Sequence, residues 1–403
     1  MRGRGARNDR GVTRLIDVDE RRARLARRHA VTPASRVTTV EDAAESMVVL
    51  HGTDPAGLFL SAWARVDGFH VKDLERALYE ERSLVKHLAM RRTLFAVPRD
   101  LLPVVQAAAS DRVADAERRR LAKEVTAAGF VDDGERWLAD ATAAAVAELA
   151  ASGAMTSTEL RTRVPVLDGS IEYGTGKSWA GRFAVVGRVL TCLSAAGTVV
   201  RADNQGSWGT SRPTWALMED WLGAAVEPVP AAEARAALVA RWLRTFGPGT
   251  EVDLKWWLGS TLTAVRAALR DVGAVEVDLD GRTGHVLPDD VDPVDPVDPW
   301  VALLPALDPT TMGWFERDWY LGPHKPQMFD STGNGGAAIW VDGRIVGGWT
   351  VTPAGDVRLV LLEDVGHDAR VAIDAEADRL TAWLGGTTVG VRFPAPLVRE
   401  PRR

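Results

Sequence analysis

One order of elements recurs three times in the first 290 residues of this 403-residue chain. In the second copy, "RFAVVGRVLTCLSAAG" has helical periodicity and stops at Gly197, and "TVVRADNQGSWGTSRPTWALMEDWL" follows as an extended, turning segment. In the third, "EVDLKWWLGSTLTAVRAALRDVG" gives two short helices ending at Gly273, and "AVEVDLDGRTGHVLP" is a hairpin turning at Asp280-Gly281. The first copy opens with "DVDERRARLARRHAV", capped by Asp17 or Asp19. A helix from about Thr39 to Leu50, capped by Thr38 or Thr39, comes next, then "KDLERALYEERSLV" and the extended run "KHLAMRRTLFAVP". Helices followed by a hairpin is the order of a winged helix-turn-helix unit.

The expected fold is therefore mainly α with β wings. A basic tail over 1–16, read as disordered, precedes winged helix 1 (17–110), connecting helices (111–152), winged helix 2 (153–228) and winged helix 3 (229–290). The segment "VDPVDPVDP" at 291–299 is a stiff, exposed Pro-rich linker. Beyond it the period changes to two, with a hairpin at Asp342-Gly343, the run "DVRLVLLE", a helix from about Asp368 to Leu384 and a last strand, "TTVGVRF". These predict a C-terminal β-rich (α+β) domain over 300–403.

Composition excludes several function classes. No apolar run is long enough to span a bilayer, and the basic N-terminus lacks the apolar core of a secretory signal. A cytoplasmic, nucleoid-associated protein is the expectation. The single cysteine, Cys192, reads as a buried thiol, and His285, His324 and His367 read as surface histidines in polar turns. The histidines are scattered and no HExxH occurs, so neither metal nor cofactor is expected. The net charge of −6 does not advertise a polyanion partner, but the first 150 residues carry a slight cationic excess while the last hundred are acidic. Most of the 15 tryptophans should lie in the core, with a minority left for stacking.

Several short motifs allow two readings. "GTGKS" resembles a phosphate loop, but that loop needs a glycine six positions before the lysine, where Ile171 stands. A glycine-rich basic loop is the better account, with Lys177 and Arg182 meeting DNA phosphates. Arg91 and Arg92 flank an apolar strand, either as solvated charges or as phosphate contacts from a wing. Trp208 and Arg212 sit on the second wing, where the aromatic either enters a groove or packs into the core. The stretch "VVLHGTDPAGLFLSAWARV" sets His51, Thr53 and Asp54 into an apolar run near a helix end. Read structurally, they are a hydrogen-bonded core histidine, an N-cap and a turn former before Pro55.

Taken together these pieces resemble the AlkZ-like winged-helix DNA glycosylases. The similarity rests on "VVLHGTDPAGLFLSAWARV" with "MRRTLFAVPRDLL", on "GKSWAGRFAVVGRVLTCLSAAGTVVRA", and on "LLPALDPTTMGWFERDWYLGPH" with "VDGRIVGGW". It implies three tandem winged helices and a β domain wrapped, as a monomer, around double-stranded DNA, intact or damaged. The implied activity is hydrolysis of the N-glycosidic bond of bulky or cationic alkylated bases. In that family the stretch aligned with "HGTD" usually carries a catalytic Gln-x-Gln or Gln-x-Asp. Here His51 stands at the first glutamine, Thr53 at the second position, and Asp54 at an acidic residue that often follows. Two functions compete: a monofunctional glycosylase for N7-adducted purines using His51, Thr53 and Asp54, or a DNA-binding protein that has lost catalysis and serves as a damage sensor or regulator. An unrelated interaction module on the same scaffold is a third.

Overall fold

The computed structural model describes residues 13–173, 181–390 and 392–399. It is a mixed α/β protein in which helices predominate and, among the described residues, the strands form five small antiparallel sheets. Local chemistry accounts for most helix starts. Asp17 accepts the Glu20 amide at 2.9 Å and Thr39 the Asp42 amide at 3.1 Å, each satisfying a donor that a helix's first turn leaves free.

The recurrence seen in the sequence has a structural counterpart. Leu84–Ala89 and Thr93–Pro98 form a first hairpin, Val199–Asn204 and Pro213–Leu217 a second, and Val275–Asp278 and Thr283–Val286 a third. Each hairpin is joined by a short extended segment that comes earlier in the chain, just before a helix. Leu50–His51 pairs with Thr93–Pro98, Met155–Thr156 with Pro213–Leu217, and Gly249 bridges to His285. The helices that follow are Pro55–Arg65, Ser157–Arg163 and Glu251–Leu258.

A separate four-stranded sheet runs Val301–Leu304, Ala338–Val341, Arg344–Val351, Val357–Leu361, all antiparallel neighbours, with the helix His367–Leu384 packed on it. One hydrophobic core joins this sheet to the first hairpin and to the helix Ala231–Phe246. A second core lies around residues 121–217, and a small cluster of Val85, Leu102, Val200, Ala216 and Trp221 ties the first hairpin to the second.

Several expectations need correction. The helix read as ending at Leu50 is Val40–Ser46, and the apolar run after His51 is itself a helix, Pro55–Arg65. That helix is buried on nearly every side, so no polar stripe marks its period. The helix expected to begin near Arg182 starts at Val185, because Gly181–Ala184 pairs with Ser170–Tyr173. His285 is a buried strand residue, not a surface one. The described residues of "TTVGVRF" form no strand; after glycines at 385 and 386 the chain passes beside the Thr352–Gly355 turn, where Thr388 donates to the Pro353 carbonyl. Most of the basic tail, 1–12, lies outside the described residues. Its last part is docked, Ile16 donating to the Asp278 carbonyl at 2.9 Å.

Candidate functional site

The three strand-to-helix junctions show where the chain departs from its own pattern. In the second and third copies the junction residue is a threonine in a capping box. Thr156 pairs reciprocally with Glu159, and Thr250 with Asp253. In the first copy two extra residues, Gly52 and Thr53, separate strand from helix, and the cap position is Asp54. The junction that gives up the capping box is the one that carries His51-Gly52-Thr53-Asp54.

Backbone pairing fixes His51. It faces Phe95 across the sheet, and the Gly52 amide donates to the Leu94 carbonyl at 2.8 Å, so the strand runs on for one residue. Three residues upstream, Val48 sits at φ 65°, a left-handed conformation that a β-branched side chain rarely adopts. The imidazole meets Phe95 edge-on, with ring centres 5.5 Å apart, and is only 9% exposed. Its Nδ1 faces the Thr53 amide at 3.4 Å as acceptor, which places the ring proton on Nε2. Burial, then the nearby Arg91 charge, pulls its pKa down to about 3, with Asp308 opposing. His51 is therefore a neutral hydrogen-bond donor and a very weak base at neutral pH.

Asp54, at the cap position, is also buried, and burial pushes its pKa up. The amides of Arg392, Gly57 and Ala56, with the Arg392 charge, work in the opposite direction. A Cβ on Gly57 would lie 3.2 Å from both the Ala306 carbonyl oxygen and the Asp54 Cβ, so the glycine lets the helix start press against both. Thr53 is half-buried, and its carbonyl receives Arg392 Nη1 at 3.5 Å.

The opposite end of the Pro55–Arg65 helix is anchored by a fully buried ion pair. Arg65 Nη1 and Nη2 donate to Asp308 Oδ2 and Oδ1, both at 2.8 Å, and the Ser61 hydroxyl donates to Oδ2 at 2.8 Å. Burial alone would raise the Asp308 carboxyl, but Arg65, Ser61 and the Thr310 amide hold it below the usual carboxylate range. Residues separated by hundreds of positions thus set the orientation of a loop near the N-terminus.

The other residues singled out from the sequence lie elsewhere. Arg91 and Arg92 occupy the tip of the first hairpin, both at positive φ (54° and 62°). Arg91 lies over the Trp256 ring at 3.7 Å, and Arg92 pairs with Glu117 at 2.8 Å. Arg91 is near enough to act on His51; Arg92 is turned away by Glu117. Trp208 packs between Phe59 (5.4 Å) and Trp383 (5.6 Å), which is the core reading of that residue. Arg212 is exposed on the second hairpin, and Arg182 is exposed with its Nε on the Ser170 hydroxyl. Lys177, with the rest of "GTGKS", lies outside the described residues. Among the described residues no group of three or more acidic, cysteine or histidine side chains is arranged to hold a metal. No helix there is long and apolar enough to cross a membrane.

Sequence reasoning assigned no role to Arg65, Asp308, Arg317 or Arg392. Asp308 and Arg317 fall inside "LLPALDPTTMGWFERDWYLGPH", but nothing local ties them to residue 51.

No curated protein matches this sequence. Among solved structures, the fold is similar to that of the Streptomyces sahachiroi DNA glycosylase AlkZ, at 20% identity and a TM-score of 0.72 over 94% of this chain and 99% of that one. The family model described as "DNA glycosylase AlkZ-like" matches residues 44–383, a span that takes in the His51 junction, all three hairpins and the four-stranded sheet. On that match, the chain belongs to the AlkZ-like DNA glycosylase family.

Proposed function

We propose that this protein is a monofunctional DNA glycosylase that hydrolyses the N-glycosidic bond of N7-alkylated purines in duplex DNA. In this reading each helix–hairpin unit is a winged helix, and the junction of the first holds the catalytic groups. One observation carries it: the loop that abandons its capping box instead buries a neutral histidine and, three residues on, an acidic side chain.

An N7-alkylated purine is already cationic, so the base departs as a neutral leaving group. The enzyme's task is to stabilise an oxocarbenium-like sugar and supply water to C1′. A protonated imidazole would oppose that positive charge; His51 stays neutral because it is buried. Its Nε2–H donates to the oxygen of the attacking water, and the Asp54 carboxylate accepts one of the water's hydrogens. As the C1′–N9 bond breaks, the C1′–O bond forms and the water proton passes to Asp54. Thr53, with a half-exposed side chain, holds the same water or the sugar. His51 acts by orientation rather than basicity, which is the role a glutamine amide fills equally well.

The test is release of base from a duplex containing N7-methylguanine and from one carrying a bulkier N7 adduct. The parent should release base and His51→Ala should not, with duplex binding kept by both. Intact duplex binding without release from either lesion would reassign the protein as a DNA-binding sensor or regulator.

A further inference from the structure

Two arginines near the His51 loop lack the counterions their neighbours have. At the first hairpin's tip the exposed Arg92 pairs with Glu117, and at the third hairpin Arg282 pairs with Glu316. Arg91 and Arg317 are more enclosed, Arg317 only 7% exposed, yet neither forms an ion pair among the described residues. Both guanidiniums lie over Trp256, at 3.7 and 4.8 Å from its ring centre; Arg91 Nε is buried with no hydrogen-bond partner, while Arg317 also faces Phe329 at 4.5 Å and gives its Nε to the Trp314 carbonyl, leaving its terminal nitrogens without a carboxylate. Two buried or half-buried carboxylates at the start of the Glu251–Leu258 helix are engaged elsewhere: Glu316 accepts from Thr250 and Arg282, and Asp253 accepts the amides of Phe315 and Glu316. Burial, and after it the Arg317 charge, lowers the Arg91 pKa to about 10.

Folding alone does not favour this arrangement. An enclosed charge without a partner is destabilising, and two consecutive non-glycine residues at positive φ add strain at the same tip. Gly259 contributes room. A Cβ there would lie 3.1 Å from Arg91 Cγ, so its absence lets the tip press onto the end of the Glu251–Leu258 helix beside Trp256. Strained backbone, unpaired cations and a platform ring converge at one place. An anion supplied from outside would compensate the charge that the fold leaves unpaired there, and the phosphodiester is the anion that a duplex presents at regular spacing. Phe315, 53% exposed and 6.2 Å from Trp256, adds an aromatic face at the rim, in keeping with a nucleic-acid surface.

We infer that Arg91 and Arg317, held on Trp256, form a seat for one DNA backbone phosphate beside the His51 loop, fixing the register in which the lesion meets that loop. This rests on the glycosylase reading and extends it to a phosphate contact made jointly by the first hairpin and the C-terminal domain. Arginine is suited to the seat because its planar group stacks on the ring while its edge donates to phosphate oxygens.

The experiment is the salt dependence of binding of the full chain to a short duplex containing N7-methylguanine, followed by fluorescence anisotropy. Each phosphate contact contributes about 0.9 to the slope of log K against log salt. Arg91→Gln should make the slope shallower by a share of that 0.9, Arg317→Gln likewise, the double variant by about 0.9 in all, and Arg91→Lys, which keeps the charge but not the planar stack, should retain the parent slope. Arg370→Gln, whose partner is Asp374 on the His367–Leu384 helix, is the control and should leave the slope unchanged. A parent slope in Arg91→Gln overturns the inference, as does an equal loss in the lysine and glutamine variants, which would make Arg91 a packing residue. The Arg91 variants decide the matter even if Arg317→Gln fails to fold. A parent that binds duplex and releases base while Arg91→Gln keeps its slope sinks the seat alone; a parent that does not bind duplex sinks the functional reading as well.

Discussion

Removing Asp308 should unbalance the protein more than any other single carboxylate in the site. Asp308→Ala deletes the acceptor of two Arg65 bonds and one Ser61 bond, all at 2.8 Å, and of the Thr310 amide at 2.9 Å. The Arg65 side chain is completely buried, so its charge is left with only neutral partners, the Ser61 carbonyl and hydroxyl and the Thr310 hydroxyl. Breaking one side of a buried pair costs about 3–5 kcal/mol. At about 1.2 °C per kcal/mol for a chain of this size, the melting temperature should fall by roughly 4–6 °C. The companion is the double variant Arg65→Met with Asp308→Leu, which removes both charges at similar volume. It still orphans the Thr310 amide, so it should remain about 1–2 kcal/mol below the parent, yet clearly above the single variant. Urea midpoints with calorimetry on the three proteins give the answer. A single variant within about 1 kcal/mol of the parent, or a double variant no more stable than the single, would refute the view that uncompensated burial is what makes this pair matter.

Other expectations follow from the same geometry. His29, His51 and His87 are buried and neutral, with pKa values pulled by burial to about 3, 3 and 4. The unfolded chain binds protons at these sites below about pH 6.5 while the fold does not, so their contribution is full above that pH and is lost as pH falls toward 4; urea midpoints that stay level from pH 7 to 4.5 would contradict this. For the same reason base release should show no acid limb from His51 between pH 5 and 8, and His51→Gln should keep release that His51→Ala loses. A limb near pH 6.5 that vanishes in His51→Gln would show instead that the imidazole titrates in the site. Gly57→Ala gains about 1 kcal/mol of helix propensity against crowding from Ala306 and Asp54, so stability should barely change while base release falls at least tenfold as Asp54 shifts; unchanged release would detach Asp54 from the reaction. Cys192 is buried with its thiol pushed up to about 11, so the native protein should resist thiol reagents at pH 8 and react once unfolded.

What could be read from the sequence was what the chain decides locally. Asp17 and Thr39 announce helix starts by their side-chain oxygens, and Asp280-Gly281 and Asp342-Gly343 announce tight turns by their tolerance of positive φ. The Pro55–Arg65 helix gave no such signal, since a helix apolar all round has no stripe, and a two-residue strand such as Leu50–His51 is too short for any period to register. The first hairpin turns on Arg91-Arg92, residues that no turn preference selects, so its tip read only as extended chain. The His-Gly-Thr-Asp stretch stood out because polar residues interrupt an apolar run. Its supports, Asp308 and Arg392, lie beyond the reach of any local pattern and emerge only from tertiary packing.

The distances along the chain have a consequence in time. Asp308 lies 243 residues after Arg65, and Arg392 lies 339 after Thr53. At about 5–20 residues per second of synthesis, roughly 20–70 s pass between the emergence of the loop and that of its last contact. For roughly 12–50 s of that interval Arg65, in the helix behind Asp54, waits for Asp308, and closure must wait for contacts of high sequence separation, the slowest kind to form. The His51 loop, made early in synthesis, is therefore among the last parts of the fold to be locked.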